Sequence, residues 1–190
     1  MEYKLYQSKL VKKNHNVFVN NCIKLNKYIT HFLNTDDPTW SYSKYNIFIL
    51  TSSSVLFYKL FKELNSYIRD FVGHSNPLWM HSWLNYHETP KKLSKILGKE
   101  QGYHGHASKY HGYISIDPQD TTTIFKNKLQ INNKIGQIYI GPGNFLLKDN
   151  FDFDHCVIEN SPITKPRITI GFNFHEEYNQ LLSPCNIPLL

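Results

Sequence analysis

Three of the chain's ten histidines fall close together, in Tyr103-His104-Gly105-His106-Ala107-Ser108-Lys109-Tyr110-His111. On an extended backbone, residues i and i+2 project to the same side. His104 and His106 can therefore present both imidazoles to one ion, and Gly105 lets the backbone come close. Imidazole suits Fe(II), Zn, Ni and Cu. Two ligands rarely suffice, so a third must come from elsewhere in the fold. His155 is the best candidate, in the strand-like Phe151-Asp152-Phe153-Asp154-His155-Cys156-Val157-Ile158. Beyond it Arg167 opens Arg167-Ile168-Thr169-Ile170-Gly171-Phe172-Asn173-Phe174, where alternate positions are apolar. Arg167 and Thr169 thus share the face that is not in the core. An arginine held there suits a carboxylate, because its planar fork bonds both oxygens and keeps its charge. A lone His-x-His pair or an edge arginine is common in cores and on surfaces. The order in which these residues occur is what points to a metal site beside an anion site.

The elements that must position them change character near residue 77. Before it, periodicity predicts a helix over 17–33, ended by Asn34-Thr35-Asp36-Asp37-Pro38. After an apolar run at 46–50, Ser52-Ser53-Ser54 offers an N-cap for a second helix. There Leu56, Leu60, Phe61, Leu64, Ile68 and Phe71 recur at helical spacing, and Gly73 closes the helix. After residue 77, short strands are expected over 78–86, 109–117, 121–125, 136–140, 144–147, 151–158 and 167–174. Turn residues separate them, and Gly141-Pro142-Gly143 reads as a tight turn. Without βαβ alternation or a phosphate-binding glycine motif, the expectation is an antiparallel sandwich or barrel. The chain reads as one domain, 1–190: largely helical support over 1–76, a β core over 77–175 and a tail over 176–190 with two prolines against a helix.

Composition sets the outer bounds. With 190 residues, 41% hydrophobic, 15% aromatic and 19% charged, the chain is folded rather than disordered. No apolar run approaches the length of a membrane helix. Three cysteines without paired spacing do not support a disulfide framework or a Cys-based zinc site. With no apolar N-terminal segment, the expected compartment is cytoplasmic, including a host cytoplasm for a phage-encoded protein. Net charge is +6, yet of 21 basic residues only Arg69 and Arg167 are arginine. Sequence-specific nucleic-acid readers lean on arginine, so nucleic acid is not the expected partner. Abundant Lys, Asn and Ile, with AT-rich codons, also explain the lysine excess.

Taken together, these stretches resemble the Fe(II)- and 2-oxoglutarate-dependent oxygenases of phage or bacterial type. Trp83-Leu84-Asn85-Tyr86 is similar to the strand that leads into the family's first ligand loop. His104-Gly105-His106 occupies the place of its His-x-Asp/Glu. Tyr113-Ile114-Ser115-Ile116-Asp117 and Thr121-Thr122-Thr123-Ile124-Phe125 are similar to the core strands that follow. Gly136-Gln137-Ile138-Tyr139-Ile140 is similar to the run before the distal histidine, His155, and Arg167-Ile168-Thr169 to the family's Arg-x-Ser. The resemblance covers about residues 78–174. It implies a mainly β fold with supporting N-terminal helices, the double-stranded β-helix or cupin-like jelly roll. It implies Fe(II) on His104, His106 and His155 and 2-oxoglutarate as co-substrate, its far carboxylate on Arg167 and Thr169. Tyr86 or Tyr103 would donate to the same co-substrate. The implied activity is hydroxylation, with a protein or peptide side chain among the candidate substrates. The Lys-rich stretch 88–100 would serve as a substrate lid. His106 departs from the family, which usually places a carboxylate there. An all-histidine set carries one negative charge less, and His111 or Asp117 could supply a ligand instead.

Two other readings stay open. A cupin-like metal protein without 2-oxoglutarate also uses His-x-His, with His111 near its third ligand, but leaves Arg167 without a role. A non-enzymatic β-sandwich binding module, viral ones included, would bind no metal.

Overall fold

The computed structural model describes residues 3–35, 39, 41–88, 102–106, 108–143, 153–177 and 185–189. Its elements in chain order are β1 (Lys4–Gln7), α1 (Lys9–Lys13), α2 (His15–Leu33), α3 (Ile47–Leu50), α4 (Val55–Val72), β2 (Leu78–His87), β3 (Tyr110–Asp117), β4 (Thr121–Phe125), β5 (Gln130–Asn132), β6 (Gln137–Pro142), β7 (His155–Glu159), β8 (Arg167–His175) and β9 (Ile187–Leu189). The α4 helix starts at Ser54, whose side chain accepts a hydrogen bond from the Phe57 N–H. It stops at Gly73, which takes the left-handed conformation at φ 74° and donates its N–H to the Arg69 carbonyl. Between these ends Phe57, Leu60, Leu64 and Ile68 form one buried stripe. The expected helix over 17–33 begins slightly earlier, at His15, and ends on a left-handed Asn34.

Among the described residues all strand pairs are antiparallel, in a six-stranded sheet ordered β1-β6-β3-β8-β2-β9 and a three-stranded sheet ordered β5-β4-β7. The molecule is thus mainly β with helical support, a double-stranded β-helix. Strand alternation divides the work of the larger sheet. On β8, Ile168, Ile170, Phe172 and Phe174 enter the main core, joined by Met80, Leu84, Ile114 and Ile140 of neighbouring strands and by Phe18, Leu60 and Leu64 of the helices. Burying each such side chain stabilises by about 1.5–3 kcal/mol. The alternate residues Arg167, Thr169, Gly171 and Asn173 line a cavity instead. A second, smaller cluster of Tyr113, Phe125, Ile131 and Tyr139 packs inside the roll.

Several details differ from the sequence expectation. Gly141-Pro142 is not a turn, because β6 runs through Pro142 and pairs with Tyr110 and His111 of β3. The N-terminal part is not only helical, since β1 extends the large sheet along β6. The tail contributes β9, paired with β2, and β5 pairs with β4. β7 begins at His155 rather than at 151. The apolar run at 46–50 forms α3, capped by Asn46. The expected strand over 144–147 and all but Glu88 of the 88–100 stretch lie outside the described residues. No helix among the described residues is long and apolar enough to cross a membrane.

Candidate metal and anion site

The three sequence-nominated histidines come together. The candidate ligand nitrogens of His104, His106 and His155 all lie within 4.8 Å of one another. Their backbones are tied directly. His104 and His155 form an isolated antiparallel bridge, each N–H donating to the other's carbonyl at 3.0 Å. That bridge fastens the 102–106 segment to the start of β7. His155 is buried, His106 half-buried and His104 open to solvent at the mouth.

Burial determines the protonation of this cluster. Desolvation holds His106 and His155 well below the ordinary imidazole value, and neighbouring histidines add to the effect. His104 is also lowered, chiefly by desolvation, with a backbone hydrogen bond to Gly102 opposing, Arg167 contributing and Asp154 opposing. All three are thus neutral imidazoles, the form that ligates metal. The His155 Nδ1 lies 3.3 Å from the Phe153 carbonyl, which can only accept, so Nδ1 carries the proton and Nε2 keeps its lone pair, as a metal ligand would need.

Arg167 and Thr169 line the same cavity, of about 240 Å³. The Arg167 Nε is buried with no hydrogen-bond partner, and no ion pair to Arg167 occurs among the described residues. No Asp or Glu is among the described lining residues. Burial pushes the guanidinium down to about 10, so it remains charged near neutral pH. Its charge, after desolvation, helps push His87 down to about 3 across the β2–β8 pair. Arg167 as a whole is half-buried, but its buried, unpartnered Nε and the lack of an ion pair among the described residues make an arrangement that invites an anion.

A side-chain relay aims the Thr169 hydroxyl. Trp83 Nε1–H donates to Asn85 Oδ1 at 2.9 Å, and Asn85 Nδ2 donates to Thr169 Oγ1 at 3.1 Å. An indole N–H can only donate, which fixes the amide orientation. Thr169 accepts from Asn85 and therefore keeps its own proton for an acceptor in the cavity. Trp83 fits there because its cross-strand partner is Gly171. A Cβ at Gly171 would stand 2.6 Å from Trp83 Cε2.

The two tyrosines nominated from sequence do not line the cavity. Tyr86 alternates with Asn85 and His87 on β2 and packs with the main core. Tyr103 lies beneath Lys126, whose Nζ is 5.8 Å from its ring centroid. Tyr113 lines the cavity instead, its hydroxyl 3.1 Å from Thr123 Oγ1 and 3.0 Å from Asn133 Oδ1, and burial pushes it up to about 12. Asp117 does not turn in; it faces His15 at 3.6 Å. His111 does line the cavity. Sequence reasoning missed Asn85, Tyr113 and Asn173, although strand alternation from Trp83, His111 and Arg167 would have marked them.

The donor set fits a divalent metal with an anionic chelator beside it. Three neutral imidazoles converge, and the buried Arg167 Nε has no partner among the described residues beside a directed Thr169 hydroxyl. The three imidazoles carry no negative charge, so an ion held among them would need an anionic co-ligand for balance.

No protein-family profile and no curated protein matches the chain. Solved structures do. The viral collagen prolyl hydroxylase of Paramecium bursaria Chlorella virus-1 superposes with a TM-score of 0.55 at 11% identity, over 92% of this chain and 89% of that one. A full-length Neurospora crassa protein, solved in complex with alpha-KG, is similar over 55% of this chain and 38% of its own, with a TM-score of 0.38 and 14% identity. The first likeness establishes the fold, the double-stranded β-helix found in 2OG-Fe(II) oxygenases.

Proposed function

We propose that this chain, which has the fold of the 2OG-Fe(II) oxygenases, is itself an Fe(II)- and 2-oxoglutarate-dependent oxygenase. His104, His106 and His155 would hold the metal, and Arg167 with Thr169 the distal carboxylate of 2-oxoglutarate. The observation that carries the proposal is the buried, unpartnered Arg167 Nε in the same cavity as three converging neutral imidazoles. Bound there, Fe(II) and 2-oxoglutarate supply oxidation of a substrate C–H bond by dioxygen, coupled to decarboxylation of the oxo acid. The residues of the chain do the rest. Arg167 supplies a fixed positive charge and a planar fork for one end of the co-substrate. Thr169, oriented through Asn85 and Trp83, supplies a hydroxyl proton to the same carboxylate. The Phe153 carbonyl holds the proton of His155 on Nδ1 and so keeps Nε2 available. Trp83 and Tyr113 wall the cavity and help exclude water. We extend the proposal to a protein or peptide side chain as substrate, the class named in the viral collagen prolyl hydroxylase.

The all-imidazole set favours one alternative, a cupin-like metal protein that does not use 2-oxoglutarate. Anaerobic titration of metal-stripped protein with Fe(II) and 2-oxoglutarate separates the readings. A visible charge-transfer band is expected in the wild type. Arg167→Ala should need about tenfold or more 2-oxoglutarate to reach it, the loss of a charge-assisted hydrogen-bond pair. Metal binding without the band would transfer the assignment to the alternative. Absence of metal binding would leave the histidines structural and overturn both.

A further inference from the structure

We infer that Tyr42 and Trp83 form the substrate-selecting wall of the cavity and that they fit a neutral, apolar side chain presented by a peptide; the inference rests on the oxygenase reading above. Tyr42 opens a short 3-10 helix, Tyr42–Lys44, that precedes the sheet in the chain. Its ring lies 5.5 Å from that of Trp83, and the Trp83 ring lies 5.7 Å from that of His106. All three residues line the cavity. Exposure falls from 37% at Tyr42 to 6% at Trp83, so the row of rings leads inward from solvent to a candidate metal ligand.

Strand β2 holds this wall in place. Its pairing with β9 covers only Leu78–Met80. Further along, the Leu84 N–H donates to Tyr45 Oη at 3.0 Å and the Tyr86 N–H to Thr39 Oγ1 at 3.4 Å. Ser82 Oγ donates to Asn46 Oδ1 at 2.7 Å. His81 Nε2 stands 2.7 Å from the Tyr42 carbonyl and 3.1 Å from the Tyr45 carbonyl. Both carbonyls can only accept, so Nε2 carries the proton and pins the turn that bears Tyr42. A ring fixed in this way gives up little freedom when a substrate packs on it.

Charge and hydrogen bonding indicate what packs there. No Asp, Glu or Lys is among the described lining residues. A cationic side chain would face Arg167 and a divalent ion with no carboxylate to offset them. An anionic one would compete with 2-oxoglutarate for those same two positive groups. Among the polar lining groups, Asn85 is committed to Trp83 and Thr169, and Tyr113 to Thr123 and Asn133. The mouth therefore offers aromatic surface, which takes apolar C–H groups against its rings.

The test incubates untagged protein, Fe(II), 2-oxoglutarate and dioxygen with capped Gly-Gly-Xaa-Gly-Gly peptides and reads by mass which Xaa gains one oxygen atom. The other atom of dioxygen enters the succinate formed as 2-oxoglutarate loses CO2. Oxygen is expected on proline, leucine, isoleucine or valine, and not on lysine, arginine, aspartate or glutamate. For the best peptide, Tyr42→Ala should raise KM about fivefold with little change in kcat, and Tyr42→Phe should restore it. The peptide result does not depend on how well either variant folds. Oxygen chiefly on charged residues, or on none while the Fe(II)–2-oxoglutarate band forms, would overturn the inference and leave the proposed function standing. So would an unchanged KM in Tyr42→Ala. Absence of the band in the wild type would overturn both.

Discussion

Asn85 joins the indole of Trp83 to the hydroxyl of Thr169, and its two substitutions should differ in an informative way. Asn85→Ala removes the donor to Thr169, a bond worth about 1 kcal/mol, and should weaken 2-oxoglutarate binding about fivefold. Asn85→Asp is nearly isosteric but can only accept. Thr169 would then turn its proton toward residue 85 and away from the cavity, with a new negative charge beside the anion. The loss should exceed that of Asn85→Ala, while metal affinity stays unchanged in both. Anaerobic calorimetry with Fe(II) held constant reads the two affinities, and an Asn85→Asp variant no weaker than Asn85→Ala would reject the relay. At this scale the sequence was informative about residue type and less so about direction. His104, His106, His155, Arg167 and Thr169 were nominated by order and chemistry, and the fold brings them around one cavity. Tyr86 and Tyr103 were nominated by nearness in the chain alone. Strand parity sends Tyr86 to the helices, a constraint that nearness does not capture.

The pairing of β2 with β8 fixes the shape of the cavity, and its tightest point is Gly171 against Trp83. Gly171→Val would drive a branched side chain into the indole, so either Trp83 or the strand must move. Such overpacking costs about 1–3 kcal/mol. A fall of that size in urea-derived stability is expected, together with weaker 2-oxoglutarate binding as the Asn85 relay shifts. Unchanged urea stability would show that Trp83 relocates freely. The long elements were legible because each carries its own signal: the stripe and caps of α4, the alternation of β8. β1, β5 and β9 were not, because three or four residues hold no periodicity and their pairing is decided by distant partners. Gly141-Pro142 was misread for a related reason. Its local chemistry favours a turn, but pairing with β3 prevails, with Pro142 accepting from His111 through its carbonyl.

Across the molecule, seven histidines share one electrostatic condition. His81, His87, His104, His106, His111, His155 and His175 are all lowered from the ordinary value of 6.5, each chiefly by desolvation. Unfolding exposes them and restores ordinary values, so below pH 6.5 the unfolded chain binds more protons than the folded one. Metal-free protein should therefore keep full stability from this source above about pH 6.5 and lose it progressively as the pH falls toward 3, the window set by His87. Thermal melts across that range measure it, and a melting temperature flat from pH 7 to 5 would contradict it. A divalent metal that binds only the folded form should raise the melting temperature, by about 2.7 kcal/mol in stability at a hundredfold excess over its dissociation constant. His155→Ala should abolish that increment.

β8 carries two interleaved series of residues on a single strand. One series, Ile168, Ile170, Phe172 and Phe174, belongs to the core, and the other, Arg167, Thr169, Gly171 and Asn173, belongs to the cavity. Point substitutions can therefore revise the chemistry without touching the core, or repack the core without touching the chemistry. A single-residue insertion or deletion within the strand can do neither. It would exchange the two series from that point on, placing apolar side chains in the cavity and cavity-lining residues against the core. The strand is in effect written in a two-letter reading frame, so lineages of this protein should tolerate substitutions along β8 far more readily than changes in its length.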